Sequence, residues 1–550
     1  TGGDPSTGSY REGQNEWGNL TIMGDAYIAE DEAPTGLSNT PTPNASNVAD
    51  MEGLEIELGS ETLVQYGGGN DDDDSGAINF LSIRYGGKVA ALNKELNGLS
   101  LGGIGRETDV HHVEIMNNVD DGIEIWGGTV NLKYISIWNV GDDSLDIDQG
   151  YRGKVQFGLI VQGYSDPSAG QGSGVGDNAI ETDGAEDSDW QPVTTTEIRN
   201  MTVIGQPLAG DGGTAWRDNA RVRYENCIWM DLGDQLVRFD NDDGDGASGY
   251  GFNGTLSWAD TWTTAFTDTS TVNAPANPAA FYTAQTQGNL ADIESSVFFR
   301  NLAGGGTGAA SDPAYSEATA RGVLDVSNDN IVTLGFNDVD APVKSLVRSA
   351  PVNTPAGAML QVTSLNPVPA NDALVPGDAT GILDPFFTSA PFRGGFPPND
   401  NWLSGWTAAA AFGLSDDTDA GSWTDLGCSL PAVDGNVNTY PVLEAFGATT
   451  PGNPVTINLR NARGGALAGL FLGIGLPGTG ISAPFKGGVL KTFLPIAAPF
   501  ILNTFPDGTI PLPFNWFNGA SGLELTFQYG ISDPNALIGV SISNAVSTID

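Results

Sequence analysis

Histidine and cysteine are scarce in this 550-residue chain, with two of each. Cys227 and Cys428 can form at most one disulfide, which excludes a disulfide-stapled scaffold. Cys227 sits in the run VRYENCIWM, where a buried strand thiol is expected. The two histidines, His111 and His112, are adjacent. Successive side chains of a strand point to opposite faces, so one ring should face in and the other out, and the pair should not chelate one ion together. Basic residues are few as well: 22 Lys plus Arg against 68 Asp plus Glu, a net charge of −46. Such a surface repels nucleic acid and anionic lipid and attracts divalent cations. No run reaches the ~18 apolar residues needed to cross a bilayer. The best candidate, ALAGLFLGIGLPGTG, is short and broken by Gly and Pro. Continuous helical periodicity is missing throughout.

What the chain does contain is apolar residues at 39%, with 12 Trp and 23 Phe, so it is a folded protein and not an acidic tail. Glycine, at 75 residues, is about twice its usual share of roughly 7%, which fits a protein of many turns. The stretch from Val110 to Val161 explains them. Asp120-Asp121 recurs as Asp142-Asp143, 22 residues later, and GIEI at Gly122 recurs as SLDI at Ser144 with the same offset. Short runs rich in β-branched and aromatic residues alternate with Gly, Asp and Asn. A period in the low twenties is the mark of a solenoid, whose turns must stack because none can bury its own apolar face. The fold class expected is all-β: a right-handed parallel β-helix.

Three regions are expected. Residues 1–253 form the β-helix. Residues 254–427 form a partly helical capping and decoration region, with helix-compatible stretches in Ala274–Ala303 and in SEATARG, covering an otherwise sticky end of the coil. Residues 428–550 carry at least five strand-like runs spaced by turns, which fit an antiparallel β-sandwich. The apolar loop PGTGISAPFKGGVLKTFLP in this last region is a candidate contact with another molecule. The chain opens at Thr1 without Met, as a processed secretory product would.

The order of motifs is also familiar. WGNLTIMGDAYI, the acidic loop GGGNDDDDSGAINFLSIRYGG, the block from Glu95 to Gln162 and FRGGFPPNDNWLSGWT together resemble a family of exported bacterial β-helix proteins, mostly hypothetical surface proteins or lipoproteins. The similarity runs from about residue 12 to residue 407. It implies the pectin-lyase-like right-handed β-helix and a secreted or cell-surface location, and it brings no established activity. The C-terminal region resembles tail domains of exported proteins from aquatic bacteria.

That fold directs attention to polysaccharide cleavage. Asp121, Asp142, Asp143 and Asp146 can gather on one face, because residues one coil apart lie about 4.8 Å from each other. An inverting glycosidase needs two carboxyls about 6.5–9.5 Å apart. GDDSLDID looks like the Gly-Asp-Asp part of a polygalacturonase site, yet the Gly-His-Gly and Arg-Ile-Lys motifs of those enzymes are missing. Lys154, with Arg152 beside it, is the candidate base for a calcium-dependent lyase, although YRGKVQ also fits a strand with solvent-facing cations. No catalytic residue is assigned outright. For calcium, the candidates are Asp71, Asp72, Asp73 and Asp74 in one acidic loop and Asn241, Asp243 and Asp245 in NDDGDG. The second loop partly matches an EF-hand, but position 12 would be Phe252, which excludes a true one. Trp126, Trp138, Trp216 and Trp229 are expected in the core, with a sugar-stacking face as the alternative.

The leading functional expectation is a secreted structural or adhesive protein that self-associates through its C-terminal region and β-helix into a filament or surface array stabilised by calcium. The alternative is a carbohydrate-binding or polysaccharide-cleaving β-helix protein with a glycan partner. A passive anchoring module is the third reading.

Overall fold

The computed structural model describes residues 10–549, apart from internal stretches of which the longest are 31–42, 164–175, 240–264, 266–276, 302–313, 316–328, 333–340 and 371–383. The molecule is a right-handed parallel β-helix followed by antiparallel sheets. One sheet stacks Leu20–Met23, Leu99–Gly102, Ile123–Trp126, Leu145–Asp148, Asn178–Thr182, Gly212–Trp216 and Val237–Phe239, all parallel. A second sheet stacks Ala77–Arg84, Asp109–Met116, Asn131–Trp138, Lys154–Val161 and Thr195–Ile204, again parallel. Ile123 pairs with Leu145 and Ile125 with Ile147, which is the 22-residue repeat read as a register. Because side chains alternate, these four point inward and are fully buried, while Glu124 and Asp146 between them point outward. Each such buried aliphatic side chain contributes about 1.5–3 kcal/mol. Trp216 and Trp229 are buried inside the β-helix as expected of core aromatics, and Trp138 is buried on the outer side of the second sheet.

The strands of the second sheet turn a corner in mid-run. Phe80, His112, Tyr134 and Phe157 occupy one register position in successive coils, and each has a left-handed backbone, φ 55, 54, 57 and 62°. Left-handed residues with a side chain are strained. Here the side chains stack on one another along the outside of the corner, with centroids 4.4, 4.4 and 5.1 Å apart, and this stacking offsets part of the strain. The corner corrects the expectation for the histidines. The break in alternation puts His111 and His112 on the same side, with Nδ1 atoms 2.8 Å apart.

Two further expectations change. Within Ala274–Ala303, Ala291–Glu294 and Val297–Phe299 are strands that pair in parallel with Arg221–Glu225 and Ile228–Met230. Coils therefore continue past residue 253; the long connection after Phe239 hides their recurrence in the sequence. SEATARG lies outside the described residues. The segment from Asp384 to Ser415 covers a flank of the β-helix and not an end. Phe396, Trp402, Leu403, Ala408 and Ala409 pack on Met116, Trp138, Leu159 and Val161, outward residues of the second sheet. The fully buried Glu114 carboxylate accepts hydrogen bonds from the amides of Ala408 (2.7 Å) and Ala409 (2.9 Å), at the start of the short helix Ala408–Ala411.

C-terminally, a five-stranded antiparallel sheet that includes Leu467–Gly475, Glu524–Ser532 and Val540–Ile549 faces a three-stranded one of Val442–Phe446, Pro454–Arg460 and Ile510–Asn515. They share a core of Leu443, Ile457, Leu470, Trp516, Phe527 and Tyr529, a sandwich-like arrangement. Among the described residues, no helix is long and apolar enough to cross a membrane.

Glycine is required where coils touch. A Cβ on Gly122 would lie 2.5 Å from both the Ser144 carbonyl oxygen and Ile137 Cγ2. Gly122→Ala is expected to lose roughly 1–3 kcal/mol by overpacking, read as a lower denaturation midpoint with an unchanged slope.

Candidate functional site: an acidic groove on the first sheet

The paired aspartates enter the first sheet just ahead of its strands, and the two members of each pair do different things. Asp121 Oδ1 accepts the Asp143 amide at 2.8 Å, and Asp143 Oδ1 accepts the Asn178 amide at 2.5 Å. The second aspartate of one coil thus caps the backbone of the next. Asp120 and Asp142 flank this ladder, and Glu124, Asp146 and Glu181 form the outward column one step further along the strands. Carboxylate oxygens of Asp120, Asp121 and Asp142 lie within 4.8 Å of one another, and so do those of Asp121, Glu124 and Asp146. Asp146 Oδ1 is buried and accepts no hydrogen bond.

Crowding and burial perturb these acids strongly. Burial, reinforced by neighbouring carboxylates, holds Asp120, Asp121, Glu124, Asp143 and Asp146 well above the usual carboxylate range. Burial together with Asp177 and Glu181 raises Asp142 to about 7. Glu181 moves the other way. Burial opposes its ionisation, but a hydrogen bond from Asp143 and the Arg217 guanidinium, 2.6 Å away, outweigh it.

Glu124 and Asp146 of this column line a cavity of about 510 Å³. Its floor is Glu124, Trp126, Asp146 and Asp148; Glu30, Asp50, Glu52, Tyr66 and Lys94 form a wall; Asp183 and Arg217 close the far end. Gln149 ties wall to floor, donating to Glu30 at 2.6 Å and accepting from the Tyr66 hydroxyl at 2.6 Å. The parallel β-helix that carries this groove is matched by sequence. Residues 6–297 match the pectate-lyase-like beta helix domain, over more than half of the chain. The chain belongs to that family. No curated protein matches it.

Within this member of the family, the residues singled out from sequence divide. Asp121, Asp142 and Asp146 come together, joined by Asp120 and Glu124, while Asp143 sits beside Glu181. Lys154 lies on the second sheet and is not solvent-facing: it is buried against Asp384, 3.0 Å away. Arg152 is fully buried too, in a two-pronged pair with Asp71. The acidic loop Asp71–Asp74 does not converge on one point. Asp71 is taken by Arg152 and Asp72 by Arg106 at 2.5 Å, while Asp73 accepts the Ser75 hydroxyl and Asp74 the Gly76 amide. Asn241, Asp243 and Asp245 lie outside the described residues. Sequence reasoning missed Glu124 and the walls. Glu124 was within reach, since it stands 22 residues before Asp146; Glu30, Glu52 and Lys94 reach the groove from non-repeating segments and carry no such signal.

The spacing limits the chemistry. Within each triad the carboxylate oxygens meet within 4.8 Å, closer than the about 6.5–9.5 Å at which an inverting glycosidase holds its two acids. An all-oxygen donor set of this kind suits a hard divalent cation.

Proposed function

We propose that the groove binds an acidic polysaccharide with the help of calcium, and that it does so outside the cell. The observation that carries this reading is a pair of carboxylate triads that share Asp121: Asp120, Asp121 and Asp142 in one, and Asp121, Glu124 and Asp146 in the other, the second holding an unsatisfied oxygen of Asp146 at the groove. Those residues would hold the ion. What a bound calcium supplies is charge neutralisation, without which a chain of net charge −46 repels an anionic sugar. Lys94 and Arg217 line the same groove, each ion-paired, Lys94 with Glu52 at 3.4 Å and Arg217 with Asp183 at 2.5 Å and Glu181 at 2.6 Å, while Trp126 and Tyr66 are buried beneath it. Family membership supports the carbohydrate-directed reading over the self-assembling filament or array, which draws no support from it.

Titration calorimetry with calcium, and affinity electrophoresis in gels containing polygalacturonate with and without a chelator, test the proposal. Calcium-dependent retention is expected. Asp121→Asn combined with Asp146→Asn should weaken calcium binding by at least the roughly 10–100-fold that follows loss of a mere outer-shell partner. Unsaturated uronides released in the same incubations would add cleavage to binding. Retention indifferent to chelator and to the double substitution would refute the reading.

A further inference from the structure

A second cavity, of about 250 Å³, lies at the corner of the second sheet, where the flank segment and the C-terminal sheets meet it. None of its lining residues belongs to the acidic groove. We infer that this pocket binds a single neutral sugar ring, at a site separate from the groove.

Aromatic rings supply the walls. Trp406 stands edge-on to Phe80 at 5.8 Å, Tyr440 lies 4.9 Å from Phe80 at 56°, and Tyr134 continues the stack on the far side of His112. Rings at such varied angles offer faces to the C–H groups of a sugar ring. Polar groups lie between them. Tyr134 and Tyr440 line the cavity, and neither hydroxyl has a hydrogen-bond partner among the described residues. The histidine pair adds an acceptor. When one neutral imidazole donates from Nδ1 to the other's Nδ1, the first keeps a bare Nε2 and the second an Nε2–H. His111 Nε2 faces Asp109 Oδ2 at 3.7 Å, so His111 carries the Nε2–H, and His112, donating from Nδ1, keeps a bare Nε2 as an acceptor for a sugar hydroxyl. Burial keeps both rings neutral, lowering His111 and holding His112 at about 3.

Charge selects against other ligands. Arg460 is engaged by Asp400 at 2.5 Å, Glu444 at 3.0 Å and the Asn401 carbonyl, so an anion finds no waiting guanidinium. Asp400 Oδ1 is paired with that same guanidinium, so the carboxylate facing a quaternary ammonium is already charge-compensated. The volume falls below the about 300–1,000 Å³ of sites for drug-sized ligands, which suits one ring and not a chain.

Saturation-transfer NMR on the full chain, with methyl glycosides of glucose, galactose and mannose and with choline as probes, tests this. Transfer to at least one glycoside is expected, with a dissociation constant on the order of millimolar. Tyr440→Phe should weaken it roughly three- to tenfold by loss of one hydrogen bond. Trp406→Ala should abolish it, and Asp121→Asn with Asp146→Asn should leave it unchanged, which separates this site from the groove. If Trp406→Ala misfolds by circular dichroism, Tyr440→Phe decides alone. No transfer to any glycoside, transfer to choline only, or transfer indifferent to Tyr440→Phe would overturn the inference.

Discussion

Asp71→Asn is expected to cost roughly 3–5 kcal/mol of stability, the largest effect of any single exposed-loop substitution proposed for this chain. Arg152 is fully buried, and Asp71 meets it with both oxygens at 2.6 and 2.8 Å. The guanidinium also donates to the Tyr27 carbonyl at 3.1 Å and lies 4.3 Å from the centre of the Phe281 ring. Neither of those contacts neutralises it. An amide at residue 71 keeps the shape and removes the carboxylate charge that meets this buried cation. The midpoint of chemical denaturation should fall accordingly. Arg152→Met combined with Asp71→Leu should recover much of the loss, because well-packed apolar residues often replace a buried pair at little cost. A calcium-loop role for Asp71 predicts something else: chelator added to the unaltered protein would reproduce the loss. A shift below about 1 kcal/mol for Asp71→Asn would show that the pair does not bear on stability.

The second large effect is a fall in stability as pH rises. A carboxyl whose pKa is raised on folding is favoured in its protonated form. Its contribution is fully present below the ordinary carboxylate range and is lost as pH climbs through the raised value. Asp120, Asp121, Glu124, Asp143 and Asp146 all shift upward, and Asp142 moves from 3.8 to about 7. Glu181, shifted down, works in the opposite direction, its contribution being lost as pH falls. The upward set is larger, so without divalent cations the protein should be more stable at pH 5 than at pH 8, by an amount on the order of 2–4 kcal/mol. Calcium should restore the loss at pH 8 by binding the ionised acids. The net charge of −46 acts in the same sense, so the decisive comparison is with Asp146→Asn, whose melting temperature should depend less on pH. A melting temperature that climbs from pH 5 to pH 8 would contradict the account.

How much of this was legible beforehand depended on whether a feature repeats. The recurrence of Asp120-Asp121 at Asp142-Asp143 gave the coil length, the parallel pairing and one acidic face, because a stacked coil converts sequence offset directly into a register. The same reasoning failed for His111 and His112, where a left-handed residue in mid-strand cancels the alternation that placed them on opposite faces. Local acidity at Asp71–Asp74 carries no sign of the arginine that arrives from 81 residues away. The run around Lys154 carries none of its burial, which depends on Asp384 in a segment far along the chain.

Sequence by itself therefore determined the architecture: short β-rich rungs of about 22 residues, stacked in parallel, with isoleucine and leucine inside and carboxylates outside. Tertiary structure alone decided which carboxylates act as a group, which are used up by arginines, and where aromatic walls enclose space. The physical reason is one of range. Alternation and coil register are local and periodic, so they are written in spacing, whereas desolvation, ion pairing and enclosure arise from segments that meet only after folding and leave no periodic trace.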